Sequence, residues 1–198
     1  MKIGVLALQG DVREHLEMLK KCGADTVQVK SPEDIDNIDG LIIPGGESTT
    51  IGRLIERNGL DTEIKKKFEE GMPIYGTCAG AILLSKKVIG QSQFKFGFLD
   101  AAVVRNAYGR QVDSFETEIE LDEIGKFKGV FIRAPVIQKV YNGAKIMGKF
   151  KDMPVMIRQG NLLITTFHPE LTGDIRIHQY FVNMAKQKSH RKSFNIMI

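Results

Sequence analysis

Cys78 lies in a pattern that favours a reactive cysteine. It stands at the centre of the string GTCAG, which follows the apolar pair Ile74 and Tyr75 and precedes residues at helical spacing. This pattern predicts a tight turn between the end of a strand and the start of a helix, the geometry of a nucleophile elbow. The glycines permit unusual backbone dihedrals, and a helix N-terminus favours thiolate over thiol. The alternative is a small, inert cysteine buried in a glycine-rich turn.

A cysteine nucleophile needs a base, and His168 is the best candidate among the four histidines. His15 and His178 fall within helical patterns, and His190 belongs to the basic tail. His168 instead follows the apolar run 161–167, which predicts a buried strand. The carboxyl ends of parallel strands meet at one edge of a sheet, so we expect this imidazole near the cysteine.

Glu170 is placed to orient the imidazole of His168. Pro169 biases the residue before it toward extended backbone, and in an extended chain residues i and i+2 project to the same side. Together with Cys78 these residues form a Cys-His-Glu triad, which predicts acyl transfer through a thioester followed by hydrolysis. A zinc site on the same three side chains is the rival, but a fourth ligand and a Cys-x-x-Cys pair are missing, so we expect no metal.

A glycine-rich loop, PGGESTT at 44–50, follows the apolar run 40–43. Ligands in open α/β sheets bind outside such strand ends. The loop lacks the Gly-Lys-Ser/Thr of a phosphate loop, and Glu47 would oppose an anion. We therefore expect backbone N–H groups near Gly46 and Ala79 to form an oxyanion hole, and Ser48 or Thr49 to cap the next helix.

The sequence pattern around these residues predicts an α/β fold. Its sheet is open and mostly parallel, with some antiparallel strands, and helices flank it to give three layers. Near-continuous apolar strands alternate with helical patterns over the first half of the chain, as in buried parallel sheets. Short strand-like runs between 96 and 135 predict antiparallel additions or a small lobe. Further predicted elements are a hairpin at 145–150 and 155–158 and a closing helix through Ile177, Phe181, Met184 and Ala185.

Composition sets the broad class of the protein. With 198 residues, 42% hydrophobic and 26% charged, one globular domain is expected. Two cysteines make no disulfide framework, and no apolar run is long enough to span a membrane, so we expect a soluble, intracellular protein without a membrane partner. The net charge of +4 gathers in the tail KQKSHRK at 186–192, which argues against nucleic-acid binding.

Longer strings resemble a known family. GTCAGA and FHPEL resemble the class I (triad) glutamine amidotransferases, whose glutaminase domains release ammonia from glutamine. VLALQGDVREH, LIIPGGESTTIGRL, RNAYGRQVDSFE and GVFIRAP are similar, more narrowly, to the glutaminase subunits of pyridoxal 5′-phosphate synthases. The resemblance runs from Lys2 to the closing helix. It implies one glutaminase domain over 1–198, a flavodoxin-like core, no cofactor and a cytoplasmic location.

The resemblance also implies roles for particular residues and a partner. Cys78 would be the nucleophile, His168 the general base and acid, and Glu170 its orienting carboxylate. The partner would be a (β/α)8-barrel synthase subunit, in a large hetero-oligomer, that receives the ammonia. The implied glutamine contacts are Gly46, Glu47, Ser48, Arg105, Ile132 and Arg133. Arginine suits the α-carboxylate of glutamine and an acid suits its ammonium group, but whether Glu47 is that acid stays open.

Three other interpretations remain at this point. The chain could serve another amidotransferase pathway, such as histidine biosynthesis, or act as a γ-glutamyl hydrolase. It could be a non-catalytic binding module that keeps only the fold, or a redox protein with a peroxide-sensitive Cys78. A related hypothesis is that the Gly45–Gly46 peptide flips, so that the oxyanion donor points correctly only when the partner docks.

Overall fold

The computed structural model describes residues 1–105, 114–141 and 143–195, with side chains described as far as residue 188. The strands are β1 (Lys2–Leu6), β2 (Asp25–Val29), β3 (Gly40–Ile43), β4 (Ile74–Thr77), β5 (Ser85–Ile89), β6 (Leu99–Val104), β7 (Ser114–Leu121), β8 (Gly125–Ile132), β9 (Val136–Val140), β10 (Lys145–Phe150), β11 (Met153–Gln159) and β12 (Leu162–Thr165). The α-helices are α1 (Val12–Lys21), α2 (Ser48–Arg57), α3 (Leu60–Glu69), α4 (Ala79–Leu84) and α5 (Arg176–Asn195), and short 3₁₀ turns cover Pro32–Ile35 and Pro169–Leu171.

The large sheet has a parallel half and an antiparallel half. Its strand order is β2-β1-β3-β4-β12-β11-β10-β7-β8, in which the first five strands run parallel and the rest pair antiparallel. Strands β3, β4 and β12 are apolar or small throughout and buried at every position, as expected for parallel strands covered on both faces. The predicted α/β class with a mostly parallel core and added antiparallel strands is confirmed.

Helices cover both faces of this sheet and create two hydrophobic cores. Helices α2, α3 and α4 pack on one face, where Ile51, Ile64 and Leu83 are buried. Helices α1 and α5 pack on the other, where Leu19 and Phe181 are buried. The result is the predicted three-layer arrangement.

The segment between 96 and 135 contains both of the predicted alternatives. Strands β7 and β8 extend the large sheet as an antiparallel hairpin, whereas β6 lies between β5 and β9 in a separate three-stranded sheet. The string RNAYGR, part of the family resemblance, falls mostly outside the described residues, since only Arg105 of it is described. Within the described ranges, no helix is both long and apolar enough to cross a membrane.

The pairing of β4 with β12 brings the two ends of the triad together. The register sets Thr165 opposite Thr77, and the backbone N–H of Cys78 donates to the Thr165 carbonyl at 2.9 Å. Three residues beyond that carbonyl, the backbone N–H of His168 donates to the Val130 carbonyl of β8 at 2.8 Å. The sheet edge therefore fixes the backbone of both residues.

Candidate active site

Cys78 occupies the sharp turn that its sequence predicts. It lies between β4 and α4 with φ 47° and ψ −99°, a conformation that non-glycine residues rarely adopt. A Cβ atom on Gly80 would lie 2.1 Å from the carbonyl oxygen of Ile43, and one on Gly76 would lie 2.6 Å from the carbonyl carbon of Gly80. Both glycines are needed because α4 packs directly on the backbone of the sheet.

His168 and Glu170 form a buried pair beside this turn. His168 Nδ1 lies 2.7 Å from Glu170 Oε1, and the two side chains are at most 5% exposed. The predicted contact is present, but the reason given for it was wrong. Pro169 starts a 3₁₀ turn, so imidazole and carboxylate meet across a turn and not along an extended strand. His168 Nε2 is buried and has no hydrogen-bond partner in the described part of the chain.

Asp11 supplies a second carboxylate that the sequence did not single out. Its Oδ2 lies 3.3 Å from His168 Nδ1, at the start of α1. Burial alone lowers the pKa of His168, but Asp11, Cys78 and Glu170 outweigh that effect and raise it above its ordinary value. Burial also raises the pKa of Glu170, against the hydrogen bond from His168. The site thus favours an imidazolium, the partner that stabilises a thiolate.

The same acids raise the question of a metal. Ligand atoms of Asp11, His168 and Glu170 all lie within 4.8 Å of one another. His168 Nδ1 is already engaged by Glu170, so a cation bound through that nitrogen would have to break the 2.7 Å hydrogen bond. The geometry therefore fits a charge-paired imidazole better than a metal centre.

A cavity of about 270 Å³ opens in front of the cysteine and the imidazole. Nine of the ten predicted site residues line it, and the tenth, Glu170, lies behind His168. Three lining residues were not predicted, namely Gln9, Asp11 and Ile82. The predicted residues along its wall are Gly46, Glu47, Ser48, Cys78, Ala79, Arg105, Ile132, Arg133 and His168. Their placement is a matter of geometry, and their roles stay predictions.

The Gly45–Gly46 loop is held by the residues that precede α1. The Gly45 carbonyl accepts from the backbone N–H of Asp11 at 3.2 Å, and the backbone N–H of Glu47 donates to Gln9 Oε1 at 2.8 Å. Gly46 has φ 151°, and a Cβ atom on Gly10 would lie 1.7 Å from the Gly45 carbonyl oxygen. The glycine of the string QGD therefore has a structural role that was not predicted from the sequence. Because Gly10 has no Cβ atom, its backbone can touch the backbone of Gly45.

Glu47, and not Ser48 or Thr49 as predicted, caps α2. Its carboxylate accepts from the backbone N–H groups of Thr49 at 3.1 Å and Thr50 at 2.7 Å. Arg105 reaches the same carboxylate at 2.9 Å, which joins the two predicted substrate contacts as an ion pair. Although burial opposes it, hydrogen bonds from Thr50 and Thr49 and the charge of Arg105 lower the pKa of Glu47 to about 2.

Arg133 also lines the cavity, and it follows a different strand from Arg105. It follows β8 directly, with φ 42°, and its neighbour Ile132 offers a carbonyl oxygen 3.9 Å from Cys78 Sγ. Arg105, Arg133 and Cys78 all line the same cavity. Such an arrangement suits a small zwitterion whose reacting group points at the sulfur.

Comparison with known proteins supports the fold. A crystal structure of a glutamine amidotransferase, 49% identical in sequence, superposes with a TM-score of 0.90 over 93% of this chain and 98% of that chain. PurLQS from Thermotoga maritima, 16% identical, has a TM-score of 0.66 and covers 92% of this chain and 97% of that chain, which shows a common fold alone. The fold and the cavity define a protein of the glutamine amidotransferase class.

The sequence comparisons narrow the class to one family. The model of the SNO glutamine amidotransferase family matches residues 5–187, and the chain belongs to this family. It is 51% identical to the pyridoxal 5′-phosphate synthase subunit PdxT of Thermotoga petrophila, over 94% of this chain and all of that relative. It is 49% identical to the PdxT of a strain of Thermus thermophilus, over 92% of this chain and 97% of that relative.

Proposed function

We propose that this protein is the glutaminase subunit of a pyridoxal 5′-phosphate synthase. It hydrolyses L-glutamine to glutamate and ammonia and delivers the ammonia to a synthase subunit. The observation that carries the proposal is that His168, which Glu170 contacts at 2.7 Å, lines the same cavity as Cys78. Family membership and relatives named PdxT support the choice of substrate and pathway.

The reaction proceeds by two acyl transfers. The Cys78 thiolate attacks the side-chain amide carbon of glutamine, and N–H groups of Gly46 and Ala79 stabilise the oxyanion. Collapse breaks the C–N bond, and the His168 imidazolium gives its proton to the departing ammonia. The imidazole then takes a proton from water, whose hydroxide attacks the thioester and releases glutamate. Glu170 keeps the imidazole oriented through its Nδ1.

Glutamine binds along the cavity wall with its amide toward the sulfur. Arg105 and Arg133 supply the positive charges for the α-carboxylate. Glu47 lines the same cavity and faces the ammonium group. Gly46, Ser48 and Ile132 complete the set of contacts. Because Glu47 and Arg105 are already paired at 2.9 Å, one residue pair can hold both charges of the amino acid.

The partner and the setting complete the proposal. The whole chain, 1–198, acts as one glutaminase domain in the cytoplasm. It docks on a (β/α)8-barrel synthase subunit within a large hetero-oligomer. A closed passage between the subunits would protect ammonia, which is mostly protonated in neutral water. The resemblance described above supports this partner.

Ammonia release from glutamine, measured with and without the cognate synthase subunit, tests the function. We expect turnover in the complex and a loss of at least about 1,000-fold in Cys78→Ala, as for other removed nucleophiles. Formation of pyridoxal 5′-phosphate with glutamine as the sole nitrogen source separates this function from other amidotransferase pathways. Ammonia release that Cys78→Ala leaves intact would contradict the proposal.

The same assay tests whether the Gly45–Gly46 loop is a control point. The Gly45 carbonyl is held by Asp11, and a peptide flip would break that 3.2 Å hydrogen bond. We expect the isolated chain to be much slower than the complex. Equal rates for the two would contradict a partner-dependent flip.

A further inference from the structure

Two fully buried histidines lie behind Glu170, one from α1 and one from α5. His15 Nδ1 is 2.9 Å from His178 Nε2, so the two rings share a hydrogen bond. On its other side, His15 Nε2 is 3.1 Å from Thr77 Oγ1 and 3.6 Å from Glu170 Oε1. A chain of polar groups therefore runs from α5 through α1 to the carboxylate that faces His168.

The unsatisfied atoms decide which way the protons point. His178 Nδ1 is buried and has no partner in the described part of the chain. If Nδ1 is not protonated, every N–H donor of the ring has an acceptor. If Nδ1 is protonated, a buried N–H donor has none. His178 therefore carries its proton on Nε2 and donates to His15 Nδ1. His15 must then carry its own proton on Nε2, which faces Thr77 and Glu170.

Both rings are neutral, so the direction of these hydrogen bonds depends on the tautomer of each ring and not on charge. Burial lowers the pKa of His178 to about 3. Burial lowers the pKa of His15 well below its ordinary value, and a positive charge on His178 or His168 would lower it further. The opposite tautomer of His15 would aim a lone pair at the carboxylate, and a neutral ring cannot offset that repulsion.

Such a donor would favour the charged form of Glu170, which burial disfavours. Burial raises the pKa of Glu170, as does the neighbouring Asp11, against the hydrogen bond and the charge of His168. Its Oε2 is buried without a hydrogen-bond partner among the described residues. Its Oε1 therefore carries both interactions, a hydrogen bond with His168 and the contact with His15.

We infer that His15 is a positioning residue of the glutaminase reaction, whose Nε2–H holds Glu170 ionised and in place, with its tautomer set by His178. The inference rests on the proposed function only for its kinetic test. Loss of the N–H would let Glu170 take up a proton or turn away. His168 would then lose its orienting carboxylate and bind its own proton less tightly.

Two substitutions separate the N–H from the bulk of the ring. Glutamine can place an amide N–H close to the position of His15 Nε2, whereas leucine fills the space without a donor. In the complex with the synthase subunit, we expect His15→Leu to lower kcat by about 10- to 100-fold with KM for glutamine within about twofold. His15→Gln should keep kcat within about threefold of the wild type. Met18→Leu, a buried apolar change on the same helix, serves as the packing control and should leave kcat unchanged.

Two readouts do not require glutamine turnover. Nitrogen-15 NMR of the wild-type histidines should show both His15 and His178 protonated on Nε2. The same NMR signals should show a lower pKa for the His168 imidazole in His15→Leu than in the wild type, because Glu170 then supports its proton less. These readouts stand even if the protein hydrolyses no glutamine, an outcome that would overturn the proposed function alone.

Three results would overturn the positioning role. They are a His15 ring protonated on Nδ1, a His15→Leu variant with wild-type kcat and His168 pKa, and a His15→Gln variant as slow as His15→Leu. Circular dichroism and a thermal melt of each variant exclude simple unfolding as the cause of a low rate. If both variants unfold, the tautomers measured in the wild type decide whether His15 has the positioning role.

Discussion

At the scale of single residues, His178 makes the stability of the fold depend on pH. Burial lowers its pKa to about 3 in the folded protein, whereas the ordinary value is 6.5. The folded state therefore keeps the ring neutral over a range in which the unfolded chain takes up a proton. The contribution of the neutral His178 ring to the free energy of unfolding is complete above pH 6.5. It falls as the pH drops toward 3, by about 1.4 kcal/mol for each pH unit.

His178→Gln tests this dependence directly. Glutamine does not titrate, so we expect the loss of unfolding free energy between pH 7 and pH 5 to be smaller in the variant by about 1–2 kcal/mol. Urea unfolding of both proteins at the two pH values measures the difference. Parallel pH profiles would show that His178 does not titrate on unfolding.

The residues that sequence reasoning missed had weak but readable signals. His15 falls three positions after Val12 and four before Leu19, so it lies on the apolar face of α1. The helical pattern argued against His15 as the base, although a titratable ring on a buried stripe needs a partner. Sequence alone could not name that partner, because His178 lies 163 positions further along the chain.

At the scale of secondary-structure elements, the start of α2 links the fold to the cavity. Glu47 binds two backbone N–H groups of α2 and the guanidinium of Arg105. The sequence pattern predicts a serine or threonine cap, since those residues are the usual choice. The longer glutamate reaches the same N–H groups from the position before Ser48, and a sequence pattern does not distinguish these two solutions.

Glu47→Ala should weaken α2 measurably. We expect the unfolding free energy to fall by about 1 kcal/mol, because two N–H groups at the helix start lose their partner. Glu56→Ala, at an exposed position near the other end of the same helix, should change it by less than about 0.5 kcal/mol. Urea unfolding of the three proteins measures both values. Equal effects of the two substitutions would contradict the role of Glu47 as a cap.

The parallel strands could be predicted more fully than the rest of the elements. Strands β1, β3, β4 and β12 appear in the sequence as apolar runs, because both of their faces are buried. Strands β7 and β8 alternate between polar and apolar residues, but an alternating pattern does not say which strands pair with each other. Sequence alone offered antiparallel additions or a small lobe, and it could not assign β6 to a second sheet with β9.

At the scale of the whole molecule, the β8 edge of the large sheet is covered by side-chain and backbone donors. Arg176 donates to the carbonyls of Ile124 at 2.8 Å and Lys126 at 2.7 Å, and its guanidinium lies over the ring of Phe127. The backbone N–H of His168 covers the Val130 carbonyl further along. Open strand edges promote association between copies of a protein, so this cover protects the monomer.

Arg176→Ala should expose that edge. We expect the variant to form dimers and larger species at protein concentrations where the wild type does not, because two carbonyls lose their donors. Light scattering over a concentration series measures the effect. Arg13→Ala removes an arginine that is 82% exposed and paired only with Glu17 among the described residues, so it controls for the loss of charge. Identical scattering from the two variants would contradict an edge-protecting role.

The backbone of Cys78, with φ 47°, sets catalysis and folding against each other at one position. Cys78→Ala and Cys78→Gly both lack the sulfur, but only glycine removes the Cβ atom that makes this conformation unfavourable. We expect the glycine variant to be the more stable of the two by about 1 kcal/mol, as a thermal melt would show. An engineering campaign that selects for heat resistance alone would therefore drift toward glycine here and discard the thiol.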